Sequence, residues 1–174
     1  MNEQILQKAK NIKLFAMDVD GVLSDGQIIY DAQGVETKAF FVQDGLGLQA
    51  VRQAGVVLAI ITGRSSAMVE RRAKELGIAH VIQGRDDKFV ALMDLAAQLG
   101  LDLSECAYMG DDLPDLKAVR EAGFGISVAN GCLQTQAVAD YVTQKTGGQG
   151  AVREVCELIL QAQDKFDDFV KKFQ

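Results

Sequence analysis

The chain is short of the residues that usually announce a nucleophilic triad, a zinc site or a disulfide framework. It has one histidine, His80, at the start of an apolar stretch. A histidine-rich zinc site or a Ser-His-Asp triad therefore has little to build on, and His80 reads as structural. The three cysteines, Cys106, Cys132 and Cys156, are widely spaced and form no C-x-x-C pair. They read as small core hydrophobes in a reducing compartment. Positive charge is also in deficit. The formal net charge is -6, which argues against a general nucleic-acid or acidic-membrane surface. An anionic substrate would need a local cluster of Lys and Arg. The longest apolar run, Val56 to Ile61, is far too short to span a bilayer. Met1 to Lys10 lacks the apolar core of a signal peptide.

What is present is an ordinary soluble composition, 48% hydrophobic and 24% charged over 174 residues, enough for one domain with a full core. There is no internal repeat, low-complexity tract or linker, so residues 1–174 read as one domain. Short apolar runs alternate with helical patterns. Strands are expected at Ile12 to Met17, Val56 to Ile61, Ile78 to Ile82, Cys106 to Met109, Gly125 to Val128 and Asp140 to Val142. Helices stopped by Gly55, Gly77 and Gly100 fall between the first four. This alternation predicts an α/β fold, a Rossmann-like doubly wound parallel sheet. Gln27 to Tyr30 and Val35 to Val42, around Asp31-Ala32-Gln33-Gly34, predict a β-hairpin insertion over 27–42 after the first strand. No stretch is long enough for a separate cap domain. Residues 161–174 carry Phe166, Phe169 and Phe173 at spacings of three and four. They read either as a surface helix on their own domain or as a tail docking on a neighbouring subunit.

The polar residues gather at the strand ends. Asp18-Val19-Asp20-Gly21-Val22 follows the first strand, Thr62-Gly63 the second, and Gly110-Asp111-Asp112-Leu113-Pro114-Asp115 the fourth. Lys88 opens the helix after the third. Open α/β sheets bind ligands outside the carboxyl ends of their strands. Paired carboxylates suit Mg²⁺, and an acid beside a second acid suits a nucleophile with its proton donor. In this reading Asp18 attacks phosphorus, and Asp20 protonates the leaving alcohol and later activates water. Asp18, the Asp20 backbone carbonyl and Asp111 hold Mg²⁺. Thr62, Gly63 and Lys88 bind the phosphate, and Asp112 orients Lys88 or a metal-bound water. Taken singly, each has a plainer reading: Thr62 or Asp111 as a helix cap, Lys88 as a solvated helix residue, Asp112 and Asp115 as charges favoured near a helix N-terminus. Their joint order along the chain favours the chemistry.

These four motifs resemble those of the haloacid-dehalogenase-like phosphatase superfamily. The match extends to Leu23-Ser24-Asp25-Gly26, Lys38-Ala39-Phe40, Asp44-Gly45, Ile60 to Arg64 and Gly150 to Cys156. Over nearly the whole chain it resembles the 3-deoxy-D-manno-octulosonate 8-phosphate (KDO 8-phosphate) phosphatase family. The resemblance implies a cytoplasmic Mg²⁺-dependent homotetramer that supplies KDO for lipopolysaccharide and takes a small anionic sugar phosphate. It implies active sites completed by neighbouring subunits. It further implies substrate contacts from Asp20, Phe41, Val42, Gln43, Asp44, Gly45, Gln49, Arg64 and Arg72. Gln43 and Gln49 stand where the family often has Arg, which removes two potential anion partners. A related phosphatase for another sugar acid, such as a nonulosonate 9-phosphate, would share every catalytic residue. A binding module on an inactive phosphatase fold would be expected to lack Asp18, Asp20, Lys88 or Asp111, and all four are present.

Overall fold

Strand β1 (Leu14–Met17) is fully buried on both faces, as a strand inside a parallel sheet must be. Its side chains alternate between two cores. Phe15 and Met17 face one layer; Leu14 and Ala16 face the other. In the computed structural model, which describes residues 3–174, β1 lies between β4 (Val57–Ile61) and β6 (Cys106–Gly110), both parallel to it. Beyond β4 lies β5 (His80–Ile82); beyond β6 lie β7 (Phe124–Ser127) and β8 (Tyr141–Val142). The sheet order β5-β4-β1-β6-β7-β8 is parallel throughout. The chain winds outward from β1 to one edge, then returns to β6 and winds to the other. The switch between β1 and β6 leaves a crevice at their carboxyl ends.

Helices α1 (Glu3–Lys10), α2 (Val42–Gln53), α3 (Ala67–Leu76) and α7 (Ala151–Ala162) cover the face that holds Phe15 and Met17. Helices α4 (Lys88–Leu99) and α5 (Leu116–Glu121) cover the face that holds Leu14, Ala16 and Tyr108. The short α6 (Leu133–Val138) leads to β8. The expected doubly wound sheet is therefore observed, without a separate cap among the described residues.

The insertion after β1 is shorter in strand than expected. Only β2 (Ile29–Tyr30) and β3 (Glu36–Thr37) pair, antiparallel, with Ile29 opposite Thr37. The β-rich run to Val42 does not continue as strand, because α2 already begins at Val42. Asp44 accepts a hydrogen bond from the Arg153 backbone N–H at 2.7 Å, tying the first turn of α2 to α7. The C-terminal aromatics form α8 (Phe166–Lys171) on their own chain. Phe169 is buried, and the Arg153 guanidinium lies 5.3 Å from its ring centre. Lys165 at its start donates to the Ala54 carbonyl at 2.5 Å. The surface-helix reading is the one observed within this chain.

The α4 core gives a stability prediction. Leu92 is fully buried against Leu14, Ala59 and Tyr108. Leu92→Ala should cost about 3 kcal/mol from lost burial plus cavity. Urea unfolding checks it: a lower midpoint at unchanged slope is expected.

Candidate active site

The turn that leaves β1 folds back sharply, with the Ser24 N–H donating to the Val19 carbonyl at 3.0 Å. Gly21 sits in it at φ 90°, and a Cβ there would meet the Asp111 carboxylate at 2.1 Å. Only glycine lets the turn after β1 and the turn after β6 approach this closely. Gly147 presses on the same turn from the other side; its Cβ would meet the Gly21 carbonyl oxygen at 1.7 Å. The glycine-rich loop before α7 thus props the catalytic turn.

Asp18, Asp20, Thr62, Gly63, Arg64, Lys88, Asp111 and Asp112 all line one cleft of about 340 Å³ at the carboxyl ends of β1, β4 and β6. Asp86, Pro114, Gly26 and Asp115 line it as well. A larger hollow of about 580 Å³ lies at the opposite, amino-terminal edge of the sheet, with no matching acidic cluster.

Lys88 joins the cleft's two buried acids. Its ammonium lies 2.7 Å from Asp18 Oδ2 and 2.8 Å from Asp115 Oδ1. Asp115 is fully buried, and four donors satisfy it. Oδ1 accepts from Lys88 and from the Tyr108 hydroxyl at 2.8 Å. Oδ2 accepts from the Asp111 and Asp112 backbone N–H groups at 3.1 and 3.3 Å. The residue that orients Lys88 is therefore Asp115. Asp112 was expected to orient Lys88 or a metal-bound water; it is exposed, and the first of these roles falls to Asp115 instead. The reason is geometric. The chain enters a tight turn over Leu113–Asp115, and its last acid points back beneath the loop. The only signal available in the sequence was that acid's place at the end of Gly110-Asp111-Asp112-Leu113-Pro114-Asp115.

The electrostatics favour a cation. Burial, with the Asp115 charge added to it, pushes Asp18 up to about 6 despite Lys88. Burial, then Asp115 and Asp18, pushes Asp111 up to about 7. Burial tends to lower Lys88, but Asp115 and Asp18 more than offset that and its pKa is raised. Burial first, then the carboxylates, holds the Tyr108 phenol well above its ordinary value, so it remains a donor. Carboxylate oxygens of Asp18, Asp111 and Asp115 all lie within 4.8 Å of one another. Asp115 is committed to its four donors. Asp18 Oδ1 is buried with no hydrogen-bond partner, an oxygen left for a ligand. A hard divalent cation between Asp18 and Asp111 fits this donor set.

Asp20 lines the same cleft but is not one of these three clustered acids. Its carboxylate meets the Lys38 ammonium, and Arg64 Nε lies 3.7 Å from its other oxygen. Arg64 also donates to Glu36 at 3.0 Å. The remaining residues expected at the substrate do not reach the cleft within this chain. Phe41, Val42, Gln43, Asp44, Gly45 and Gln49 lie before or along the first turns of α2. Arg72 packs there too, 5.9 Å from the Phe40 ring centre and against Gly45, with Glu75 3.4 Å away. The start of α2 is bound to α7, through Asp44 and through Arg153 donating to the Gln43 carbonyl at 3.5 Å.

The sheet order and the four strand-end motifs define a haloacid dehalogenase-like hydrolase, and a family model of that description matches residues 78–155. A KDO 8-phosphate phosphatase from Yersinia pestis is 46% identical over 95% of this chain and 88% of its own. A crystal structure of the Moraxella catarrhalis KDO 8-phosphate phosphatase, in complex with magnesium, phosphate and KDO, is 74% identical over all of both chains, with a TM-score of 0.98. The cobalt-bound Haemophilus influenzae phosphatase is 41% identical over 96% of this chain and 99% of that one, at a TM-score of 0.91. The chain belongs to the KDO 8-phosphate phosphatase family and is a phosphoric monoester hydrolase.

Two predictions follow from the buried acids. Asp115→Asn leaves Lys88 with Asp18 alone; stability should fall by about 3 kcal/mol in urea unfolding, and turnover should fall with it. Undiminished turnover would show that Lys88 does not depend on Asp115. Asp44, outside the cleft, is pushed up to about 6, chiefly by burial, and its Oδ2 has no partner. A raised carboxyl pKa means that the folded state holds its proton longer than the unfolded state. Its stabilising contribution is full below about 4 and is lost as pH rises through about 6. Asp44→Asn should flatten that fall, giving a variant more stable than the parent at pH 8; denaturation series at pH 5 and pH 8 read it.

Proposed function

We propose that the chain hydrolyses KDO 8-phosphate to KDO and phosphate through an aspartyl-phosphate on Asp18. The observation that carries this is the Asp18 carboxylate. Lys88 holds one of its oxygens, the other is buried and unpartnered, and the residue lines the cleft. In the first half-reaction an Asp18 oxygen bonds phosphorus as the bond to the sugar oxygen breaks, and Asp20 gives that oxygen its proton. In the second, Asp20 takes a proton from water as the water displaces Asp18 from phosphorus. Thr62, the Gly63 backbone and the Lys88 ammonium hold the phosphate oxygens where negative charge concentrates. The residues fit Mg²⁺ held by Asp18, Asp111 and the Asp20 backbone carbonyl; bound there, it would neutralise the carboxylates and the phosphate.

Arg64, 43% exposed at the mouth of the cleft, is placed to meet the carboxylate of a sugar acid. Within the patch around Phe41 to Gly45, Gln49 and Arg72, exposed groups such as Val42 and Gln43 would serve a neighbouring subunit's site, while Asp44 and Gly45 are buried. The hairpin exposes Ile28, Ile29, Tyr30 and Val35, and the start of α2 exposes Val42 and Leu46. Such an apolar surface supports a homotetramer that covers its own open clefts. Among the described residues, no helix is long and apolar enough to cross a membrane. With a cytoplasmic location, the reaction would supply KDO for lipopolysaccharide. Gln43 and Gln49 remove two potential anion partners and weaken the case for identical substrate contacts; the alternative is another sugar acid phosphate, such as a nonulosonate 9-phosphate, which would use the same catalytic residues.

Phosphate release from KDO 8-phosphate, against a panel of sugar phosphates, tests the proposal. Release should require Mg²⁺, stop on chelation, prefer KDO 8-phosphate and fall at least about 10³-fold in Asp18→Asn. An active Asp18→Asn would sink the aspartyl-phosphate. Preference for another sugar acid would sink the substrate assignment and leave the chemistry standing.

A further inference from the structure

One buried cation at the cleft has no part in the steps above. Lys38 follows β3 in the stretch Lys38-Ala39-Phe40, and its side chain is only 2% exposed. Lysines are rarely that buried unless paired. Its ammonium meets Asp20 Oδ1, and Glu36 Oε1 lies 3.7 Å away. The same Asp20 oxygen accepts from Ser24 Oγ at 3.4 Å. Arg64 Nε stands 3.7 Å from Asp20 Oδ2, and Arg64 is itself clasped by Glu36 and Tyr30 of the hairpin. Three separate segments therefore set the direction of this carboxylate: the turn after β1, the hairpin, and the turn after β4. Only the hairpin's contribution is a desolvated full charge.

The geometry points to Lys38 as a positioning residue for Asp20, which makes proton transfer depend on a closed hairpin. The inference rests on the phosphatase reading. When the bond from phosphorus to the leaving oxygen breaks, the Asp20 proton moves to that oxygen. The electron pair of the broken O–H bond stays on Asp20, and the resulting carboxylate lies beside the Lys38 ammonium. When Asp20 later takes a proton from the attacking water, the same ammonium has kept the carboxylate aimed at the cleft. The hairpin thus brings a charge to the reaction as well as covering it. The plainer role, a staple that fastens the hairpin, predicts no dependence on the leaving group.

The leaving group separates these roles. An alkoxide leaves poorly without a proton, whereas p-nitrophenolate leaves without one. Full-length wild type, Lys38→Met and Lys38→Arg are mixed in excess, with Mg²⁺, with KDO 8-phosphate or p-nitrophenyl phosphate. Leaving-group release in a single turnover reports only the first half-reaction. A positioned general acid contributes roughly 10²–10⁴-fold, so Lys38→Met should slow KDO release about tenfold or more and p-nitrophenolate release by less than about twofold. Lys38→Arg, which keeps the charge, should recover most of the loss. Equal losses on both substrates, or none on either, overturn the inference. Should Lys38→Met fail to fold by circular dichroism, Lys38→Gln is read in the same way. A wild type that releases neither leaving group overturns the phosphatase reading and this inference together. Equal losses in the variant overturn this inference alone.

Discussion

The Asp115 carboxylate, with no exposure to solvent, is the contact on which the site is built. Its two oxygens receive four hydrogens: from Lys88, from Tyr108 and from two backbone amides of the loop it belongs to. Lys88 begins α4, where the helix dipole opposes a positive charge. An ammonium buried there would be costly if it were alone. Asp115 and Asp18 remove that conflict and hold the ammonium between them. Gly110 makes the arrangement possible, because a Cβ at that position would lie 2.3 Å from the Asp115 Cβ.

Three acids around one ammonium leave the cleft negative, and this imbalance governs what it accepts. Burial, with the neighbouring carboxylates added to it, pushes Asp18 and Asp111 towards neutral pH, and Lys88 offsets this only in part. A divalent ion corrects the sign, and a dianionic phosphate can then approach in an acidic protein. The structures of relatives with magnesium or cobalt fit that order of charges. The second acid is kept out of this competition. Asp20 is paired with Lys38 and faces Arg64, so the two carboxylates of one short turn stand in different surroundings.

The hairpin and the start of α2 are anchored to different parts of the chain. Through Lys38 and Glu36 the hairpin reaches into its own chain's cleft. The start of α2 is fastened to α7 and presents its polar and apolar groups elsewhere. A chain without a cap leaves its cleft open, and exposed apolar side chains on the hairpin and α2 are a physical means of closing it by association.

Much of this protein was legible in its sequence because the signals are local. Apolar runs, glycine stops and acids at strand ends are set by neighbours along the chain, and they marked the parallel sheet and the strand-end residues that line one cleft. The side-chain alternation of β1 between two cores also follows from strand geometry alone. Tertiary structure decided what depends on distant partners. Val35 to Val42 has the composition of a strand, but α2 takes Val42 because Asp44 caps onto α7. The choice of Asp115 over Asp112 as partner of Lys88 rests on a turn that points only one of the two acids inward. Phe169 could be placed by its spacing only on a helix, and it is α7, through Arg153, that supplies its surface within this chain. Lys38 carried no role of its own in the sequence, and only the fold of the hairpin over the turn after β1 made it a buried partner of Asp20. In each case a residue's chemistry is local, while its partner is fixed by packing between segments far apart in the chain.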